Sequence, residues 1–215
     1  MGKITNLGKT WLHKARLYWL QRGADESYRA YLTEQFERSL SKSTTPLQST
    51  RLIDRLFEAV PITSDMSVLC IGSRNAAELD YMRSKGAKQV TGIDLHSESP
   101  DILVMDMHHM KFPDAHFDIV YSSHSLEHAY DAALVIKEMI RVSRNGAAIA
   151  IEVPIQYETR GSDRFDFESA EKLLSLFAPF VDQVLVSEEH PPFSPMNRYS
   201  TPIARVVFTL RKQPA

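Results

Sequence analysis

The chain lacks what several protein classes require. Its 215 residues include one cysteine, Cys70. That excludes an internal disulfide and a cysteine-ligated zinc site, and it fits a reducing compartment. No run approaches the ~18 consecutive apolar residues of a membrane span. Neither sign of charge dominates: 25 Lys and Arg stand against 27 Asp and Glu, for a net charge of -2. A nucleic-acid binder usually shows a basic excess or stripe, so no nucleic-acid partner is expected. The N-terminus is basic but has no unbroken apolar stretch to act as the core of a cleaved leader. These absences together point to a cytoplasmic protein.

What is present is enough apolar residue, 43%, for one α/β domain with additions. The organising stretch runs from Ser67 to Asp94. Val68–Ile71 is a short β-forming run, broken by Gly72. Asn75 can cap a helix over 76–84, and Lys85 and Gly86 close it. Gln89–Ile93 resumes an apolar run and stops at Asp94. A βαβ unit of this kind seats a nucleotide-like ligand at the carboxyl ends of its strands, with a carboxylate placed for ribose hydroxyls.

Upstream, residues 1–60 read as a helical cap and 61–215 as the main unit. Lys3, Lys9, Lys14, Arg16 and Arg22 lie in the first 22 residues with no acidic partner. Positions 4, 7, 11, 15 and 18 share a helical face. That face either rests on an anionic membrane or a partner, or packs on the protein's own core. Helices are expected over 25–40 and 47–60, joined by a polar linker at 41–46. Downstream, strands are expected at 102–105, 117–121, 147–153, 181–186 and 205–210, and helices at 131–143 and 169–177. Asn145-Gly146 is the expected stop of the first of these helices. Ala147–Val153 has the apolar character of a parallel strand covered on both faces. The last two strands are joined by a loop too short for a crossover helix, and so should be antiparallel.

Four segments carry a family resemblance: VLCIGSRNAAEL from Val68, VTGID from Val90, MDMHHMKFPDAHFDIVYSSHSLEHAYD from Met105, and IKEMIRVSRNGAAIAIEVP from Ile136. In order and spacing they resemble the class I S-adenosylmethionine-dependent methyltransferases, and most closely the small-molecule type 11 subgroup. The likeness covers about Ser67 to Pro154. The glycine motif departs from the family pattern. Cys70 stands where an acid is usual, and Arg74 and Ala76 stand in place of its second and third glycines. The resemblance implies a Rossmann-like fold: a mostly parallel seven-stranded sheet with an antiparallel last strand. It also implies S-adenosylmethionine as cofactor. Gly72, Ser73, Arg74, Asp94, Leu95, Asp106, Met107 and Ser122 would then contact it. Gly72 lets the backbone approach the cofactor, Asp94 takes the ribose, and Asp106 and Met107 frame the adenine.

Five of the eight histidines fall between His108 and His128. His124-Ser-Leu-Glu127-His128 matches the H-x-x-E-H pattern of a zinc hydrolase, which would place both histidines on one helical face. Its setting directly after a buried strand argues against zinc, and no metal site is expected. His124 is the favoured general base for a hydroxyl acceptor. His128, oriented by Glu127 or Asp131, is second; His108 and His109 are loop residues. The polar loop at 157–167 offers Tyr157, Glu158, Arg160, Asp163 and Arg164 for a polyhydroxyl or anionic acceptor, joined by His190, Arg198 and Tyr199. A sugar or glycan precursor is the expected acceptor, methylated at oxygen. The alternative is a non-catalytic binding protein of the same fold, degraded at its glycine motif.

Overall fold

The computed structural model describes residues 6–42, 47, 49–159 and 161–212, with side chains from Leu12 onward. Three helices lead: α1 (Asn6–Leu20), α2 (Glu26–Ser41) and α3 (Arg51–Ala59). The Asp25 carboxylate accepts from the Tyr28 amide and caps α2, satisfying a donor the helix leaves orphaned. The alternating part follows: β1 (Ser67–Ile71), α4 (Ala77–Ser84), β2 (Gln89–Asp94), β3 (Ile102–Val104), β4 (Phe117–Ser123), α5 (Ala132–Val142), β5 (Ser143–Pro154), α6 (Ala170–Ser175), β6 (Val181–His190) and β7 (Ile203–Leu210).

The strands form one seven-stranded sheet in the order β3-β2-β1-β4-β5-β7-β6. β1 to β5 pair in parallel, and β7 runs antiparallel to both its neighbours. This is the expected Rossmann-like fold. Side chains alternate across the pleat. Leu69, Ile71, Val120, Ile149 and Ile151 pack under α5 and α6. Val68, Cys70, Ile119, Tyr121 and Ala150 pack under α3 and α4. Cys70 is therefore a core side chain, and burial raises its thiol pKa far above the ordinary range.

Two features of this region differ from the expectation. Asn145-Gly146 does not stop α5: the helix ends at Val142 and the chain enters β5 at Ser143. Gly146, at φ 78, lies inside the start of that strand. The interior of β5 is also not wholly apolar, because it buries Glu152 at 1% exposure. A buried carboxylate persists only when paired. Its partner is Arg205 of β7, directly opposite in the register and fully buried. Arg205 Nε donates to Glu152 Oε2 at 2.7 Å, and its Nη2 lies 2.5 Å from the same oxygen. On the other flank Glu188 of β6 also faces Arg205, with its Oε2 3.5 Å from Nη1.

The linker residues 43–46 lie outside the described set, while Ser41 and Lys42 finish α2. On the first helix, positions 4, 7 and 11 lie outside the residues whose side chains are described. α1 packs on the body: Arg16 Nη1 donates to the Ser97 carbonyl at 3.0 Å, and the His13 ring meets Phe36 and His96 edge-on. Its other side leaves Tyr18 73% and Trp19 69% exposed. No helix among the described residues is long and apolar enough to cross a membrane.

Removing one member of a buried ion pair strands its partner and costs about 3–5 kcal/mol. Arg205→Ala should therefore lower urea-unfolding stability by about that amount. A loss under about 1 kcal/mol would show that Glu152 tolerates burial without its partner.

Candidate active site

The carboxyl ends of β1, β2, β4 and β5 open into a cavity of about 410 Å³, roofed by α2 and closed at one side by residues 199–201. Gly72, Ser73, Arg74, Asp94, Leu95, Asp106 and Met107 all line it. Ser122 does not; it is buried in β4, and Ser123, next in the alternation, faces the cavity instead.

The sharp turn after β1 explains its glycine. Gly72 sits at φ 78, and a Cβ there would stand 2.0 Å from Ser125 Oγ. That hydroxyl donates to Ile71 O and Ser123 O, tying the ends of β1 and β4 together. Glycine is thus required by the crossing of two protein loops, whereas the sequence suggested a close approach to the cofactor. Arg74 follows at φ 40, a left-handed geometry uncommon for a side-chain-bearing residue.

Asp94 terminates β2 and is almost completely buried. Its two oxygens accept from the amides of Arg74 (3.0 Å) and His96 (3.2 Å). Burial dominates and raises its pKa, against those amides and the Ser39 hydroxyl. Each carboxylate oxygen has a second lone pair, so the group retains capacity to accept from a ligand's hydroxyls. Asp106 is more committed. Its Oδ2 accepts from Tyr28 Oη of α2 at 2.6 Å, and its Oδ1 lies 2.7 Å from His108 Nδ1. Burial raises its pKa, but His108 and Tyr28 outweigh burial and leave it lowered. His108 lies in a turn after β3, on the loop where it was expected, but not on the surface. It is fully buried, and its Nε2 accepts from the amides of Tyr130 and Asp131.

The His124–His128 segment is not an α-helix. His124 stands at φ 49, and only Leu126–His128 makes a short 3₁₀ turn. His128 Nδ1 faces the Ser162 carbonyl (3.1 Å) and Asp163 (3.0 Å), while Nε2 faces Arg38 Nη2 at 2.8 Å. A guanidinium only donates, so the Nε2 lone pair is taken. Burial first, then the Arg38 charge, lowers the His128 pKa against the pull of Glu127 and Asp163. Arg38 thus takes the Nε2 atom that the zinc reading needs for the metal. It orients His128 together with Asp163, and Glu127, one of the two expected orienters, has its Oε1 3.7 Å from the same nitrogen.

His124 is the opposite case. Its Nε2 lies 3.3 Å from Glu152 Oε1 and its Nδ1 3.6 Å from Glu127 Oε1, while its amide donates to Glu152 O at 2.9 Å. Burial lowers its pKa, but the two carboxylates overcome burial and raise it to about 9. His124 is therefore an imidazolium at neutral pH. Sequence reading missed both Glu152 and Glu78. Glu78, on the first turn of α4, lines the same cavity, accepts from Tyr121 Oη at 3.1 Å, and is raised to about 7, chiefly by burial. Its signal was an acid just past the glycine turn.

Of the acceptor-loop residues, Tyr157, Asp163 and Tyr199 line the cavity. The Tyr199 ring lies 4.1 Å from that of His124. Glu158 is exposed and outside the wall, and Arg160 lies outside the described residues. Arg164 turns to the roof, stacking over Tyr31 at 5.1 Å and pairing with Glu34 at 3.5 Å. His190 pairs with Glu188 at 3.1 Å.

Residues 69–151 match the family model described as a methyltransferase domain. Among characterised relatives, the chain is 30% identical over 119 residues to 27-O-demethylrifamycin SV methyltransferase of Amycolatopsis mediterranei (strain S699), covering 48% of this chain and 44% of the relative. It is 48% identical over 42 residues to ajmaline N-methyltransferase of Rauvolfia serpentina, covering 20% and 14%. The chain thus spans less than half the length of these relatives. Among solved structures, it resembles 1,6-didemethyltoxoflavin-N1-methyltransferase of Burkholderia thailandensis, with bound 1,6-didemethyltoxoflavin and S-adenosylhomocysteine (TM-score 0.63, 14% identity, 88% and 92% coverage). It also resembles the [4+2]-cyclase SpnF (TM-score 0.60, 17% identity, 76% and 81% coverage). Both likenesses are of fold.

The proton on His124 makes stability depend on pH. A histidine whose pKa rises on folding from 6.5 to about 9 stabilises the fold fully below 6.5 and loses that contribution as pH climbs through about 9. The ceiling is about 3 kcal/mol. Glu78, raised from 4.5 to about 7, also costs stability as pH rises, but in the lower window between those values. Denaturant unfolding should show wild type weakening on the alkaline side of neutrality and His124→Gln nearly flat there. Parallel slopes for the two proteins would contradict the imidazolium assignment.

Proposed function

We propose that this chain, whose residues 69–151 make a class I S-adenosylmethionine-dependent methyltransferase domain, methylates an oxygen of a small polar acceptor, with a sugar or glycan precursor as the acceptor. The observation that carries the reading is Asp94 at the end of β2. Its carboxylate faces a cavity that spans the carboxyl ends of four strands, where nucleotide ligands sit in open α/β sheets. The residues present fit the cofactor. Asp94 would take ribose hydroxyls; Gly72, Ser73, Arg74 and Leu95 would border its amino-acid and ribose portion; Asp106 and Met107 would frame the adenine. Ser122, buried in β4 beside the cavity-lining Ser123, would not reach it.

When bound, S-adenosylmethionine supplies an electrophilic methyl group on a sulfonium. The chain's own part is to hold the acceptor in line and receive its proton. His124 takes that proton in its unprotonated form. Glu127 and Glu152 stabilise the imidazolium so formed, as carboxylates beside a histidine base do. Tyr157, Asp163 and Tyr199 supply hydrogen bonds to a hydroxylated acceptor. Glu158, Arg160 and Arg164 belong to the same loop, further from the cavity wall or outside the described residues. The oxygen acceptor draws support from the relative matched over the longer stretch, whose name specifies an O-demethyl compound.

A second reading, a binding protein of the same fold without catalysis, is favoured by one observation: Arg74 occupies a left-handed position of the glycine turn. Cytoplasmic residence is part of the proposal. So is peripheral contact of residues 1–22 with an anionic membrane, supported by the exposed Tyr18 and Trp19.

Calorimetry decides between the two readings in two steps. The enzyme reading requires saturable binding of S-adenosylmethionine and S-adenosylhomocysteine, and heat from neither sinks it. With acceptor in hand, His124→Ala should lose roughly a hundredfold or more in kcat while keeping cofactor affinity. Wild-type turnover should climb with pH toward about 9. A flat alkaline limb would remove His124 as the base. For the membrane contact, the full chain should sediment with vesicles containing phosphatidylserine and release as salt rises. Equal recovery with neutral vesicles would exclude an electrostatic contact.

A further inference from the structure

A second cluster lies away from the cavity wall, where α1 crosses the loop after β2. His13 of α1, His96 and Glu98 each present one donor atom there, all within 4.8 Å of one another. His96 is fully buried, and neither of its ring nitrogens has a hydrogen-bond partner. An imidazole with both nitrogens sealed from water and unmatched is an unusual way to fill a core position, because each unmatched atom carries its whole desolvation cost. The His13 ring meets it edge-on, with centroids 4.8 Å apart at 89°, and Phe36 walls the other side at 5.4 Å. Arg16 fastens the same loop through the Ser97 carbonyl, so the histidines are brought together by an independent contact.

We propose that His13, His96 and Glu98 form a site for a divalent transition-metal ion of the zinc class, joining α1 to the loop that follows β2. Two imidazoles and one carboxylate are a recurrent ligand set for zinc, with a fourth position left for water. Glu98 is exposed, so that position faces solvent. An ion at the centre of a 4.8 Å triangle stands about 2.8 Å from each donor. Bonds of about 2.1 Å need each donor to move in by less than about 1 Å, within the reach of three side-chain rotations. Imidazole donors select against magnesium and calcium, which prefer all-oxygen sites. The His96 amide also donates to Asp94 Oδ1 at 3.2 Å, so the ion would brace the loop that positions the proposed ribose carboxylate.

The test uses full-length protein stripped with chelator and titrated with Co²⁺ as a visible probe, then with Zn²⁺ in competition. One ion per chain, displaced by Zn²⁺ and raising Tm, is the expected result. His13→Ala and Glu98→Gln each expose an already accessible edge of the site and should fold. Each should weaken binding roughly tenfold or more, while His116→Ala, an exposed histidine elsewhere, leaves it unchanged. Absence of saturable binding, affinity indifferent to both ligand variants, or a Tm rise reproduced by Mg²⁺ would each overturn the assignment. S-adenosylhomocysteine affinity, measured on the same samples, separates the two readings. Co²⁺ binding without S-adenosylhomocysteine binding keeps the metal site and sinks the proposed enzymatic function, whereas S-adenosylhomocysteine binding without Co²⁺ binding overturns the metal site alone.

Discussion

The cluster of Glu152, Arg205 and Glu188, the first two buried and the third partly exposed, is the interaction on which the site's chemistry depends. Arg205 lies on the one antiparallel strand, with a carboxylate opposite it on each neighbour. Side chains alternate in a strand, so a slip of one residue in either register would turn the guanidinium to the other face. Correct pairing of β5, β7 and β6 is thereby coupled to charge neutralisation. The same pairing keeps Glu152 ionised: burial raises its pKa, but His124 and Arg205 outweigh burial. Glu152 in turn keeps the proton on His124. The protonation state of a cavity residue is thus set by a strand pairing outside the cavity.

The cavity itself is made by backbone bends at strand ends. Gly72, Arg74 and His124 all have positive φ, and each turns the chain where a strand stops, so that side chains converge over the sheet's edge. Such conformations persist when their surroundings fix them. Here Ser125 ties the β1 and β4 ends together, and Asp94 holds the Arg74 amide. The roof is joined to the same points. α2 sends Tyr28 to Asp106 and Arg38 to His128, so the helical cap and the acids at the strand ends form one connected hydrogen-bonded unit.

Strand order and direction were legible because buried parallel strands are short apolar runs bounded by turn residues, and Asp94 and Asp106 stand where such runs stop. The site was legible only where position alone decides. Asp94 needs only the end of its own strand to be found. Glu152 needs Arg205, 53 residues away, and in a run such as AIAIEVP it is indistinguishable from a boundary residue. The spacing of His124 and His128 suggested a shared helical face, but one left-handed residue breaks the helix. Both rings lie near Glu127 Oε1, at 3.6 and 3.7 Å, while Glu152 flanks the first and Arg38 and Asp163 the second. His108 stands on a loop, as its polar neighbours suggested, but its burial was not legible. Its burial comes from α2, whose Tyr28 and Tyr31 close over it edge-on. These misses share one cause: the deciding partner is distant in sequence.

The charge arrangement also narrows the proposed acceptor. The sequence allowed a polyhydroxyl or an anionic compound. Around His124 the cavity wall carries Glu78 and Glu127, Glu152 lies buried against the ring, and Tyr199 covers it. An anionic acceptor group would meet those carboxylates at the point where its reacting atom must sit. Of the cations nearby, Arg205 lies beneath Glu152 and Arg38 is held by His128 and Ser162, while Arg74 and Lys42 line the cavity at the glycine turn and the end of α2. A neutral hydroxylated acceptor avoids that repulsion, and its departing proton has a destination in the His124 imidazole, which lies between Glu127 and Glu152. The polar loop that first suggested a glycan thus supports the hydroxyl chemistry through Tyr157 and Asp163, while Arg164, which suggested an anion, is spent on the roof.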